Sequence, residues 1–258
     1  MTFSFVPSAL SATMVALACL ATTAQAQAPA NGSVALPAAA NNAASVTAPQ
    51  VVAHYAHLVH SNYSDTLAAA KAMQTAISAF TSQPSAATLA EARKTWLAAR
   101  EFYGQTEAFR FYGGPIDNDN GPEGRINAWP MDESFVDSVQ GKASAGLVNN
   151  RKFVINKKNL SAQNERGGEE NIATGWHAIE FFLWGQDVSD TGPGERSFED
   201  FVDGKGPNAD RRRQYLNVVT ELLIDDLTSL VKAWAPDAKN NYRARFVKGN
   251  RESVRKML

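Results

Sequence analysis

The sequence has almost no cysteine. Its one thiol, Cys19, falls within an N-terminal apolar stretch, and with that stretch removed the chain can form no internal disulfide and offers no thiolate nucleophile or metal ligand. Any metal or acid–base chemistry must come from His, Asp, Glu, Tyr or Ser. An excess of charge is also missing, since 25 Lys and Arg stand against 26 Asp and Glu, a formal net charge of −1. That balance gives no electrostatic reason to expect nucleic acid as a partner, or an anionic membrane face. No pair of segments reads as strands. What remains is 258 residues, 44% hydrophobic, an ordinary globular composition with ample material for a core.

The first residues belong to export rather than to the fold. Val6 to Thr23 are apolar or small, and Ala24-Gln25-Ala26 is the pattern read by signal peptidase, so residues 1–26 read as a signal peptide cleaved before Gln27. The departure is the extreme N-terminus, which lacks Lys and Arg. A membrane anchor is disfavoured because the apolar run is short for a span. Ala16-Leu17-Ala18 before Cys19 is a poor lipobox, so lipoprotein anchoring is the lesser alternative. The expected location is the periplasm or cell envelope. Residues 27–49 are Ala, Pro, Asn, Ser and Thr with few large apolar side chains, and are expected to form a flexible lead to a domain over residues 50–258.

From Gln50 onward the apolar period is helical. Val52, Tyr55, Val59, Asn62, Thr66, Ala70, Met73, Ile77 and Phe80 recur by threes and fours, one face of a long helix that Pro84 ends. A second helix is predicted over 85–112, stopped by Gly113-Gly114-Pro115. A turn-rich loop follows to Trp129-Pro130, then a short helix over 132–139 and an ambiguous polar stretch over 140–170. Thr174 is placed to cap a helix running through Trp184. Residues 209–234 carry Leu216, Val219, Leu223, Leu227, Leu230 and Trp234 in helical register, and a last helix is predicted from about 239 through Leu258. Helices of this length joined by loops argue an all-α bundle.

The most informative segment is Gly175-Trp-His-Ala-Ile-Glu-Phe-Phe-Leu-Trp-Gly-Gln-Asp187. On a helix, His177, Glu180, Phe181 and Trp184 share one side, while Ile179, Phe182 and Leu183 cover the other. A helix apolar all round is a buried helix, so His177 and Glu180 are expected as a polar pair with no solvent face. A buried carboxylate must be satisfied by its neighbour, by Arg or by a metal. Carboxylate and imidazole at this spacing hold metals in di-iron bundles; the plainer reading is a hydrogen bond that orients the helix.

A second constellation lies on the preceding long helix. Trp96, Arg100, Tyr103, Glu107 and Arg110 follow each other by fours and threes, a single stripe of alternating aromatic and charged residues flanked by apolar ones. It reads as the wall of a polar cavity, or as an internal ladder Arg100–Glu107–Arg110. His54, His57 and His60 fall on the solvent side of the first helix. The loop Asp117-Asn-Asp-Asn-Gly121 lacks the ligand pattern of an EF-hand, which is rejected. Asp132 and Glu133 are either carboxylates delivered to the cavity by the Pro-fixed loop or an acidic pair at a helix N-terminus.

The segments from Trp96 to Phe111, Gly114 to Asp117, Ile126 to Glu133 and Asn171 to Asp187 resemble the successive signature blocks of imelysin-like proteins. The Gly192-Pro-Gly loop and the Arg211-Arg212…Tyr215-Leu216 helix fit the same order. The family's Gly-x-His-x-x-Glu hallmark matches Gly175, His177 and Glu180. The resemblance implies an exported or membrane-attached bacterial protein linked to iron regulation and uptake, built from two related helical halves with the motif near their junction. The chain then looks truncated before the second half. Some members of the family were first described as insulin-cleaving metallopeptidases. The zincin pattern, however, supplies two His ligands and a general base, and here there is one His and one Glu.

The expected metal contacts are therefore His177 and Glu180, with Glu107, Asp132 and Glu133 as further oxygen ligands and Trp96, Arg100, Tyr103 and Arg110 as the site wall. Oxygen-rich ligation with one imidazole suits iron, with zinc the alternative. The expected partners are a metal ion or iron chelate, together with iron-transport components of the envelope. Two alternatives stay open: a metallopeptidase with Glu180 as base, and a non-catalytic module recognising a chelate or anionic polymer through its arginines.

Overall fold

The computed structural model describes residues 46–258; the predicted signal peptide with Cys19, and the predicted lead up to residue 45, lie outside the described residues. Helix α1 (Ala48–Ser82) begins two residues before the expected domain boundary, with proline in its first turn. Proline costs no helical hydrogen bond there, and the Gln50 side-chain oxygen accepts from both the backbone and the hydroxyl of Thr47. Pro84 then allows a tight reversal into α2 (Ala86–Thr106), whose cap Ser85 accepts from the Thr88 backbone at 3.2 Å.

The remaining helices are α3 (Glu123–Asn127), α4 (Glu133–Val136), α5 (Gly146–Asn149), α6 (Lys157–Gln163), α7 (Gly175–Trp184), α8 (Ala209–Trp234), α9 (Tyr242–Lys248) and α10 (Arg251–Met257). Among the described residues the only β pairing is an isolated bridge between Val139 and Lys142. The protein is all-α. Helices α1, α2 and α8 form the frame, and α7 lies against α2 and α8. Met73, Ile77 and Phe80 of α1, Trp176 and Phe182 of α7, and Leu216 and Val219 of α8 are all fully buried. The face expected for the first helix is the core face, with Tyr63 added to it and with Tyr55 and Asn62 only half-buried.

Three further boundaries differ from the sequence expectation. The second helix stops at Thr106 rather than 112, continuing as a single 3-10 turn over Glu107–Phe109. Phe111 then takes a left-handed φ of 70°, and its backbone N–H, with that of Gly114, is collected by the Asp117 carboxylate. The predicted helix over 132–139 shrinks to α4, capped by Asp132, which accepts from Ser134 at 2.9 Å. The C-terminal helix is broken at Gly249-Asn250, where Asn250 has φ 44°, so that α10 can fold back onto α1.

The long non-helical stretches are fastened to the bundle by two consecutive arginines of α8. Arg211 donates to the carbonyls of Leu147, Val148, Asn150 and Phe153 at 2.7–3.0 Å. Arg212 forms a bidentate pair with Asp137 at 2.6 and 3.1 Å and also donates to the carbonyl of Asp200. Arg196 donates to the same Asp137 carboxylate at 3.0 Å. Asp137 is fully buried. Burial pushes its carboxyl up, but the Arg212 hydrogen bonds and the charges of both arginines outweigh that and hold it below the ordinary carboxylate value. Its contribution to stability is therefore complete above the unfolded-state value and is lost as pH falls through the lower folded-state value.

Removing one partner of a buried ion set leaves the others uncompensated, at about 3–5 kcal/mol. Asp137→Asn should lower stability by that amount in urea unfolding at neutral pH. A loss under about 1 kcal/mol would show that the arginines find other partners.

Candidate functional site

Helix α7 is positioned by its first residue. Gly175 has φ 81°, and a Cβ there would lie 2.4 Å from the Ile126 carbonyl oxygen and 2.5 Å from that of Arg125. Only glycine allows both the left-handed backbone and this contact with the end of α3. Thr174 occupies the cap position, but contrary to expectation its hydroxyl makes no cap bond to α7. It donates instead toward the Arg125 carbonyl at 2.9 Å. The Tyr215 hydroxyl donates to the Ala173 carbonyl at 2.8 Å, and the Trp96 indole to that of Trp176 at 3.2 Å. Helix α7 is thus tied at its N-terminal end to α2, α3 and α8.

The consequence is the direction of the motif side chains. The His177 Nδ1 lies 3.2 Å from a Glu180 carboxylate oxygen, as a turn of helix demands. The expectation that the pair has no solvent face is corrected: the side chains are 16% and 43% exposed. Ala178, Ile179, Phe182 and Leu183 are fully buried, whereas the side of α7 bearing His177, Glu180, Phe181 and Trp184 opens onto a cavity of about 400 Å³. Trp96 of α2 forms another wall, with its ring 5.2 Å from that of Trp184 and inclined to it by 67°. Segment 129–133 and the loop 185–194 frame the opening. Trp129, 69% exposed, leans over His177 with ring centroids 4.8 Å apart.

The other residues singled out in the sequence divide between the cavity and its surroundings. Glu133 enters the cavity with His177 and Glu180. Burial pushes its carboxyl up, Arg196 opposes this, and Asp187, Asp132 and Glu180 add to the upward push. Asp132 does not line the cavity; its carboxylate is engaged with the backbone and hydroxyl of Ser134. Glu107 lies outside it too, held by Arg110 at 2.8 Å and by the Asn127 amide at 3.1 Å.

The expected ladder is real but indirect. Arg100 donates to Asn127 at 2.8 Å rather than to Glu107, and Arg110 spends its other arm on Glu123 at 2.9 Å. Of the expected wall residues only Trp96 lines the cavity. Tyr103 is buried behind it against Trp176, and Arg100 lies over the rings of Trp96, Tyr103 and Trp176. His54 and His57 are exposed, as expected, and His60 is half-buried.

Sequence reasoning missed Trp129, Met131, Asp187 and Gly194 as lining residues. The first two sit in the Trp-Pro-Met-Asp-Glu segment and Asp187 closes the α7 motif, so segments were right where single residues were not. Among the described residues no three His, Asp or Glu side chains stand close enough to share one ion. A metal held in this cavity would find the His177–Glu180 pair as side-chain donors, with Glu133 lining the same cavity. An imidazole nitrogen beside carboxylate oxygens fits a divalent or trivalent iron ion on donor chemistry.

The fold is an all-helical frame that presents a Gly-x-His-x-x-Glu helix to an aromatic-walled cavity. Residues 59–258 match the family model described as imelysin, peptidase M75, and the chain belongs to the imelysin family. It is 37% identical over 71 residues to iron-regulated protein A of Synechococcus elongatus, a match covering 28% of this chain and 19% of that protein. A crystal structure from Parabacteroides distasonis, assigned as an iron-regulated protein A precursor, superimposes with a TM-score of 0.58 at 22% identity. That match covers 83% of this chain and 56% of the other, and shows a shared fold. The chain thus spans about half the length of its structural neighbour and matches under a fifth of the curated relative.

If Gly175 sets the start of α7, Gly175→Ala should cost about 1–3 kcal/mol from the left-handed backbone alone. Gly104→Ala, in open space on α2, should be neutral or stabilising. Thermal unfolding of both variants checks the contrast; equal melting temperatures would remove the role assigned to Gly175.

Proposed function

We propose that this protein takes part in iron acquisition at the cell envelope, holding iron or an iron chelate in the α7 cavity with His177 and Glu180 as the protein's donors. The observation that carries the reading is the 3.2 Å His177–Glu180 pair opening onto a cavity that also holds Glu133. The names of the two relatives, both iron-regulated protein A, support the iron assignment, and the leader read over residues 1–26 supports export. No helix among the described residues is long and apolar enough to cross a membrane. Delivery of the ligand to iron-transport components of the envelope follows as part of the same proposal. Zinc is the second choice of metal.

Bound iron would supply Lewis acidity at the imidazole and carboxylate. The chain's own work is to hold those two groups in place. The α7 backbone fixes their separation, Trp129 covers the imidazole, and the aromatic walls keep bulk water from part of the site. A hydrolytic zinc site takes three protein ligands and an activated water, while this motif offers one nitrogen and one carboxylate. Binding is therefore favoured over catalysis.

His177→Ala should weaken ferrous ion binding at least about tenfold, the loss expected when a metal ligand or its orienting partner is removed, with an unchanged helical circular dichroism spectrum. Calorimetry under anaerobic conditions on protein purified without chelator measures it. Equal affinity in the variant would return His177 and Glu180 to a purely structural pairing.

A further inference from the structure

The cavity beside α7 is built for more than a hydrated ion. Trp96, Trp129, Phe181 and Trp184 give it flat apolar walls around about 400 Å³, the size range of small organic ligands rather than of a single ion. Its charged lining is of one sign. Glu133, Glu180 and Asp187 contribute carboxylates, His177 is the one basic group, and among the described residues no Lys or Arg lines it. Arg93, Arg100 and Arg196 lie over Trp184, Trp96 and Phe181, but none of the three enters the cavity. Their hydrogen bonds are directed away from it: Arg93 to the carbonyls of Leu183 and Arg196, Arg100 to Asn127, and Arg196 to Asp137.

Aromatic faces attract cations through their quadrupole, most strongly where water is excluded. Carboxylates at the same opening add attraction for positive charge and repel anions. We infer that the occupant of this cavity is a ligand with a flat apolar frame and net positive charge. Polyanionic chelates of the citrate kind are turned away, so any iron chelate accepted here is a cationic one. The inference rests on the cavity being the ligand site proposed above, but not on ligation of metal by His177.

The test uses metal-free calorimetry with benzamidinium and benzoate, which share a ring and differ in the sign of charge. Benzamidinium should bind at least about tenfold more tightly than benzoate, a difference of the size that one or two nearby carboxylates supply in a partly desolvated site. Guanidinium, which has the charge without the ring, should bind more weakly than benzamidinium. Glu133→Gln and Asp187→Asn should each weaken benzamidinium severalfold while leaving the thermal midpoint near that of the parent chain. Ferric citrate should not displace benzamidinium.

Benzoate binding as tightly as benzamidinium, or displacement by ferric citrate, overturns the inference. If ferrous ion binds in a His177-dependent way while benzamidinium does not bind, this inference fails and the metal reading survives. Benzamidinium binding without any binding of ferrous ion supports the cationic ligand and removes the metal reading.

Discussion

A carboxylate with no access to water holds the irregular half of this molecule in place. Asp137 sits in a loop, fully buried, between Arg212 of the long helix α8 and Arg196 of the segment that follows α7. A lone buried carboxylate would be driven toward protonation. Two guanidiniums hold it ionised and thereby fix three distant pieces of chain to one point. Arg196 in turn lies over the Phe181 ring, at 5.0 Å, and a Cβ on Gly185 would come within 3.0 Å of the Arg196 side chain. The loop that frames the cavity is therefore anchored through the same cluster that anchors Asp137. Arg211, the preceding residue on α8, does the same for segment 147–153 by hydrogen bonds to carbonyls alone.

The placement of α7 adds the second constraint. Its N-terminal glycine is pressed against the carbonyls at the end of α3, and its apolar side is packed into α8 through Phe182 and Tyr215, whose rings lie 4.8 Å apart. The helix cannot rotate without losing one contact or the other. His177 and Glu180 consequently point to one opening, and the glycine, histidine and glutamate of the motif act as a unit: the first sets the register that the other two use.

The periodic part of the structure was legible from the sequence. The frame helices α1 and α8 follow apolar spacing closely, because each packs a single face against its neighbours over many turns. The α7 motif was legible for the same reason, although its openness was not. Periodicity reports that all sides are apolar, and a cavity walled by tryptophans satisfies that pattern as well as a packed core does. Contacts made by single residues across long distances in the chain carry no periodic mark. Asp137 meets partners 59 and 75 residues away. Asn127, standing between Arg100 and Glu107, turned an expected direct ladder into a bridged one. Beyond α2 and its 3-10 turn the chain turns away at Phe111, whose left-handed backbone its residue type does not advertise, with the Phe111 N–H held by the Asp117 carboxylate.

Anomalous diffraction at the iron edge, on crystals of the protein equilibrated anaerobically with ferrous ion, tests most directly the proposal that iron is held in the opening beside α7. One strong peak is expected within coordinating distance, roughly 2.0–2.3 Å, of the His177 imidazole and the Glu180 carboxylate. A peak at the Glu107–Arg110–Glu123 cluster instead, or no ordered iron beside α7 at concentrations that saturate binding in solution, would contradict it.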